Sequence, residues 1–174
     1  DQGSGWNAMC PEAPGGPGGH VYAGCVATAM GIVMKYWNYP IHGTGFNQYW
    51  TPDYGVLMAD FDEATYFWNA MDNVTPNIFS AYLLYHLAIS VNMDFSPDGS
   101  GAFSFDVDDA LEDHFQYSTD ASYIQKQNYT QTSWINLLKE QIDNGYPIYY
   151  SGRDVDNGGH AFVCPVQGDN QGKP

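Results

Sequence analysis

The sequence predicts an α+β fold in a single domain. Helical patterns occupy much of the first 143 residues, and two short apolar strands come last. The length, 174 residues, suits one domain, since domains usually hold about 100–150 residues. Apolar residues make up 44 %, enough for a core and too many for a wholly disordered chain.

Residues 1–24 are broken by Gly and Pro, as in Cys10-Pro-Glu-Ala-Pro14 and Gly15-Gly-Pro-Gly-Gly19, and read as a loop lying over the domain. From Cys25 to Trp37 nearly every residue is apolar or small, until Pro40 stops the run. A helix apolar on most faces is a central, buried one, and it opens at Gly24-Cys25. Residues 41–76 are aromatic and read as loop-rich, with Pro52 and Pro76 as breakers. Residues 78–91 follow as an amphipathic helix through Ile78, Ala81, Leu83, Leu84, Leu87 and Ala88. Residues 94–104 are a loop by composition. A short helix over 106–115 carries acids in its first turn, where the macrodipole favours them. Thr132 or Ser133 is positioned to cap a helix through Trp134, Leu137, Leu138 and Ile142, closed by Gly145 and Pro147. Ile148–Tyr150 and Ala161–Val163 read as strands joined by a loop over 151–159.

Composition narrows the function. Twenty acids against five bases give a net charge of −15 and a pI near 4.1. Such a surface repels phosphate backbones and anionic bilayers, which argues against nucleic-acid or membrane-surface binding. No apolar run approaches the 18–20 residues of a membrane span. Charged residues are only 14 %, and the 14 tyrosines carry much of the polar surface, a pattern that suits an extracellular protein. The opening Asp1-Gln2-Gly3 has no basic n-region and no initiator Met, so a processed product is expected.

Cys10, Cys25 and Cys164 are the cysteines, an odd number that cannot form a closed intramolecular set. Cys25 opens a helix, and a helix N-terminus with a nearby imidazolium favours the thiolate, the nucleophilic form. A small buried hydrophobe is the competing reading of the same residue. Among the histidines, His86 and His114 fall in helical patterns and His42 in a polar loop. His160 instead follows Gly158-Gly159 and opens an apolar strand. Paired glycines allow close approach of a substrate, although a histidine satisfied at a strand end fits the same pattern. The order Cys25 then His160 matches a cysteine peptidase. Cys10, His20 and Cys25 lack the spacing of a zinc knuckle, and Asp108-Asp109 lacks an EF-hand context.

Gly24-Cys-Val-Ala-Thr-Ala-Met30, followed by Met34-Lys-Tyr-Trp-Asn-Tyr-Pro40, resembles the nucleophile helix of the streptopain family of papain-like cysteine peptidases. Gly145-Tyr-Pro-Ile-Tyr-Tyr-Ser-Gly152 with Gly158-Gly-His-Ala-Phe-Val163 resembles that family's histidine region. Ala88-Ile-Ser-Val-Asn-Met-Asp94, with Ser96-Pro97 and Gly99-Ser-Gly101, is similar to the segment shaping its substrate cleft. The resemblance implies a papain-like fold, with a helical lobe carrying the Cys and an antiparallel β lobe carrying the His. It implies Cys25 as nucleophile, His160 as general base and then acid, and Gln2 as an oxyanion donor beside the Cys25 N–H. It also implies a pocket for a bulky apolar residue two positions before the scissile bond. Ser96, Gly99, Ser100, Gly101 and Ala102 would shape that pocket, Ile89 and Val91 would lie behind it, and Gly24, Gly158 and Gly159 are further substrate-binding positions.

No metal or organic cofactor is implied. Family members are bacterial, secreted and made as zymogens. After Val163 the sequence departs from the family, lacking its Asp-Gly-Tyr-like turn and Asn-Trp-Gly-Trp stretch. Part of the β lobe is therefore expected on a second chain, beyond the sequence given, or absent from an inactive fragment. Cys10 and Cys164 read as structural or surface thiols. The expectation is a secreted cysteine endopeptidase acting on proteins or peptides. The alternative is an inactive papain-like module that binds peptides or a partner, and a structural or adhesive surface role rests on composition alone.

Overall fold

The structure, a computed structural model, describes residues 3–154 and 158–165. Its elements in chain order are α1 (Cys25–Trp37), β1 (Phe46–Thr51), β2 (Gly55–Asp60), α2 (Ile78–Ser90), α3 (Val107–Phe115), α4 (Gln131–Asp143), β3 (Ile148–Asp154) and β4 (Gly158–Cys164), with short 3₁₀ turns between them. The strands form two antiparallel hairpins, β1–β2 and β3–β4.

The apolar faces of α1 are covered on two sides, by α2 and by the β3–β4 hairpin. Val26, Ala27, Ala29, Met30, Gly31 and Met34 are all buried. Gly31 lets α2 come close, since a Cβ there would lie 3.1 Å from Leu84 Cδ2 and 3.3 Å from Leu87 Cδ1. The helix ends where Asn38 turns left-handed (φ 51°) and Pro40 follows. A capping box starts α2: the Asn77 side chain accepts from the Ser80 N–H, and Ser80 Oγ accepts from the Asn77 N–H.

The N-terminal loop is tied to the core by Asn7, which is fully buried. Its Oδ1 accepts the Ala23 N–H at 2.8 Å and its Nδ2 donates to the Gly3 carbonyl at 3.0 Å.

Three expectations need correction. The stretch 41–76 is not only loop, because it contains the β1–β2 hairpin. On β1 the inward positions are Asn47, Tyr49 and Thr51, while Phe46 and Trp50 face solvent. Asn47 Nδ2 donates to the Ile89 carbonyl at 2.7 Å, and the Tyr49 hydroxyl to the Met93 carbonyl at 2.8 Å. An apolar/polar alternation of the usual sense is thus inverted, which hides the strand from a pattern search. The cap of α4 is Thr130, whose Oγ1 accepts the Ser133 N–H at 3.1 Å; Thr132 and Ser133 lie inside the helix. The last two strands are also longer than expected. Pairing continues to Gly152↔His160 and Asp154↔Gly158, so much of the expected loop over 151–159 is ladder.

Candidate active site

The site grows from the start of α1. Gly24 precedes the first helical residue at φ 91°, ψ 156°, a conformation open essentially to glycine alone. It is buried, and a Cβ there would lie 2.8 Å from the Met93 side chain and 3.1 Å from the Ser100 carbonyl. This glycine seats the helix N-terminus against the 94–101 loop and sets the direction of Cys25. The Cys25 N–H belongs to the first turn, whose N–H groups have no intrahelical acceptor. Cys25 is half-buried, and its thiol is free, as are those of Cys10 and Cys164.

The sulfur meets β4. The Ala161 N–H donates to Cys25 Sγ at 3.4 Å. An N–H used in this way points off the edge of β4 that does not face β3, so α1 presents its first residue to a strand edge. Ala161 is buried, and Val163 packs against the core on the same face of the strand. His160 and Phe162 alternate onto the other face, with their rings 6.3 Å apart and inclined by 21°. His160 is exposed, and across the ladder it faces Gly152, which has no side chain to crowd the imidazole. Among the described residues no hydrogen bond joins the His160 ring to the Cys25 sulfur.

One cavity of about 990 Å³ contains both groups. Of the expected substrate-binding positions, Ser100, Gly101, Ala102 and Gly159 line it with them. Gly24, Ser96, Gly99 and Gly158 are not among its lining residues. Ser96 instead closes its own loop, accepting the Tyr22 N–H through its carbonyl and giving its N–H to Ser100 Oγ at 3.0 Å. Backbone bonds between Asp94 and Gly101, at 2.8 and 3.1 Å, hold the same loop. Gly99 is exposed with open space around it, and Gly158 sits at the tip of the β3–β4 ladder at φ 81°. Ile89 and Val91 are fully buried in the core and do not reach the cavity. Gln2 lies outside the described residues.

The other candidates are structural in their surroundings. Burial pushes the Cys10 thiol up to about 12. His86 is buried, with its Nδ1 3.1 Å from the Tyr66 hydroxyl, and burial holds the imidazole down at about 4. His114 stacks on Phe61 with centroids 4.2 Å apart. Tyr149 has no mark in the sequence, yet it lines the cavity from β3 and bonds the Ser104 hydroxyl at 2.8 Å. Burial is the main cause that raises its phenol to about 12; the Ser104 bond opposes the rise and the nearby Cys25 adds to it. Phe103 and Phe105, which line the same cavity, were equally silent in sequence. Only the pairing of distant elements brings these residues together, so no local motif could have found them.

Comparison with known proteins gives a consistent picture. The model of the peptidase C10 family matches residues 1–170. The thiol protease/hemagglutinin PrtT of Porphyromonas gingivalis is 33 % identical over 174 residues, covering 94 % of this chain and 20 % of that protein. Streptopain of Streptococcus pyogenes is 32 % identical over 162 residues, covering 84 % of this chain and 40 % of streptopain. The chain therefore spans from a fifth to two fifths of the length of these relatives. Among solved structures, active wild-type interpain A cysteine protease of Prevotella intermedia superimposes with a TM-score of 0.80 at 30 % identity, covering 91 % of this chain and 70 % of that one. A prointerpain A fragment gives 0.78 at 31 % identity. The mixed architecture is thus the α+β papain-like fold.

Proposed function

Because the chain belongs to the peptidase C10 family, we propose that it is a cysteine endopeptidase hydrolysing proteins or peptides, with Cys25 as nucleophile and His160 as general base and acid. The observation that carries this reading is the meeting of the first residue of α1 with the edge of β4: the Cys25 sulfur rests on the N–H next to His160, inside one cavity.

The chemistry follows from that placement. Cys25 Sγ attacks the scissile carbonyl carbon, forming a C–S bond and moving charge onto the carbonyl oxygen. The Cys25 N–H is a preorganised donor for that oxyanion, and the Gln2 side chain is the expected second donor; a single such donor is worth about 2.7–4 kcal/mol. His160 passes the thiol proton to the leaving amine, the C–N bond breaks, and a thioester remains. Water, deprotonated by the same imidazole, adds to the thioester carbonyl; the C–S bond breaks, the acid product leaves and the proton returns from His160 to the Cys25 sulfur. His160 shares a face of β4 with Phe162, and its imidazole would close on the sulfur as substrate binds. Catalytic hydrogen bonds commonly tighten only when substrate arrives. No step calls on a metal or an organic cofactor. The acidic, Tyr-rich surface and the bacterial relatives support a secreted bacterial enzyme made as a zymogen. The 94–101 loop, held by its backbone bonds and lining the cavity through Ser100 and Gly101, would shape the pocket for an apolar residue two positions before the cut.

A second reading is a cleft that holds peptides without cutting them. The one observation favouring it is the lack of a bond between the imidazole and the thiol. Hydrolysis of a quenched fluorescent casein decides between the two. Cys25→Ala and His160→Ala should each lower the rate by at least a thousandfold. Full activity in Cys25→Ala overturns the peptidase reading, and a wild-type chain that binds peptides but releases no fragments establishes the second.

A further inference from the structure

The 103–124 part of the cavity lining carries more exposed apolar surface than the proposed chemistry uses. Phe103 is 67 % exposed and Phe105 54 %, with Tyr123 at 43 % and Ile124 at 36 %, and all four line the cavity that holds Cys25. The two phenyl rings lie in stacked orientation, 5.1 Å apart and 17° from parallel. Water in contact with four large apolar side chains is costly, so the surface has a use if something apolar covers it.

The shelf is also held in place. Ser104, between the two phenylalanines, is fixed by its hydroxyl bond to Tyr149, which lines the same cavity as Cys25. The Tyr123 N–H is fixed by Asp108 Oδ2 at 2.7 Å, on the first turn of α3. Two chain segments with no local relation thus present rings and an aliphatic side chain to one cavity. None of the four residues belongs to the 96–102 loop, to which the first pocket is assigned.

We propose that Phe103, Phe105, Tyr123 and Ile124 form a second apolar subsite, which takes an aromatic or branched aliphatic side chain of the bound peptide. The occupant is a peptide side chain because the four residues line the cavity in which the scissile bond is expected to lie. The proposal rests on the peptide-cleft reading above. The shelf positions substrate and takes no part in bond making.

The test uses pairs of peptides that differ only by Phe or Ala at one scanned position, with wild type and the Phe103→Ser/Phe105→Ser variant. Both residues are exposed, so the variant should keep the wild-type melting temperature; Phe103→Leu/Phe105→Leu is the milder alternative. At one position wild type should favour Phe over Ala by about tenfold in kcat/KM. The variant should lose that preference, cleaving the Phe and Ala peptides with equal kcat/KM. A preference that survives in the variant, or none at any position in wild type beyond the one set by the 96–102 loop, overturns the subsite. Equilibrium binding of the same peptides to Cys25→Ala, with and without the shelf substitutions, separates this outcome from failure of the peptidase reading. A tenfold Phe advantage in binding that the substitutions erase supports the subsite even if wild type cleaves nothing, and equal binding of both peptides refutes it.

Discussion

Replacing Gly24 with alanine probes the junction on which the site is built. Two costs add. The backbone there, at φ 91° and ψ 156°, lies in a region worth about 1–3 kcal/mol of strain for a residue with a Cβ. The new methyl would sit 2.8 Å from the Met93 thioether and 3.1 Å from the Ser100 carbonyl. Met93 is fully buried, so its end has little room to retreat, and overpacking of this kind costs about 1–3 kcal/mol. The expected loss is about 2–6 kcal/mol, a large share of the roughly 5–15 kcal/mol typical of a domain. Urea unfolding followed by tryptophan fluorescence measures it as a fall in midpoint at constant slope. Gly55→Ala is the control: φ is 71°, and nothing lies within 4 Å of the added methyl, so backbone strain acts alone at about 1–2 kcal/mol. A loss below 1 kcal/mol for Gly24→Ala, or one no larger than the control, refutes the reasoning.

Two further predictions concern stability. His86 is buried neutral, with its folded value near 4 against an ordinary 6.5; the unfolded chain therefore binds the extra proton first. Its contribution is complete above pH 6.5 and is lost as pH falls toward 4, by on the order of 3 kcal/mol; the melting temperature of wild type should drop across that window more than that of His86→Gln, and parallel curves count against it. Asn7→Ala strands the buried Ala23 N–H that the side chain now holds at 2.8 Å, and should cost about 1–3 kcal/mol in urea unfolding, with a change under 0.5 kcal/mol contradicting the assigned role.

What the sequence revealed, and what it hid, follows from the range of the forces involved. The bounds of α1 were readable because a run of small and apolar residues ends at Asn38 and Pro40, all within one segment. The β1–β2 hairpin was not, because Asn47 and Tyr49 face inward to satisfy carbonyls of α2 and the turn after it, a demand set by distant chain. Cys25 and His160 were readable as a pair by residue type and order. The contact that brings Cys25 to the strand of His160 was not: an N–H at the edge of β4, that of Ala161, has no counterpart in any motif. Ser96 and Gly99 were read as cleft residues from the family resemblance of their loop; hydrogen bonds within the loop engage Ser96, and Gly99 has open space around it.

The account depends on Cys25 being the sulfur that reacts. Treating the folded protein near neutral pH with a substoichiometric epoxysuccinyl peptide, then mapping the adduct by mass spectrometry, tests this directly. The adduct should fall on Cys25, and Cys10, whose buried thiol is pushed up to about 12, should stay unmodified until the chain is unfolded. An adduct on Cys10 or Cys164 with Cys25 untouched contradicts the account.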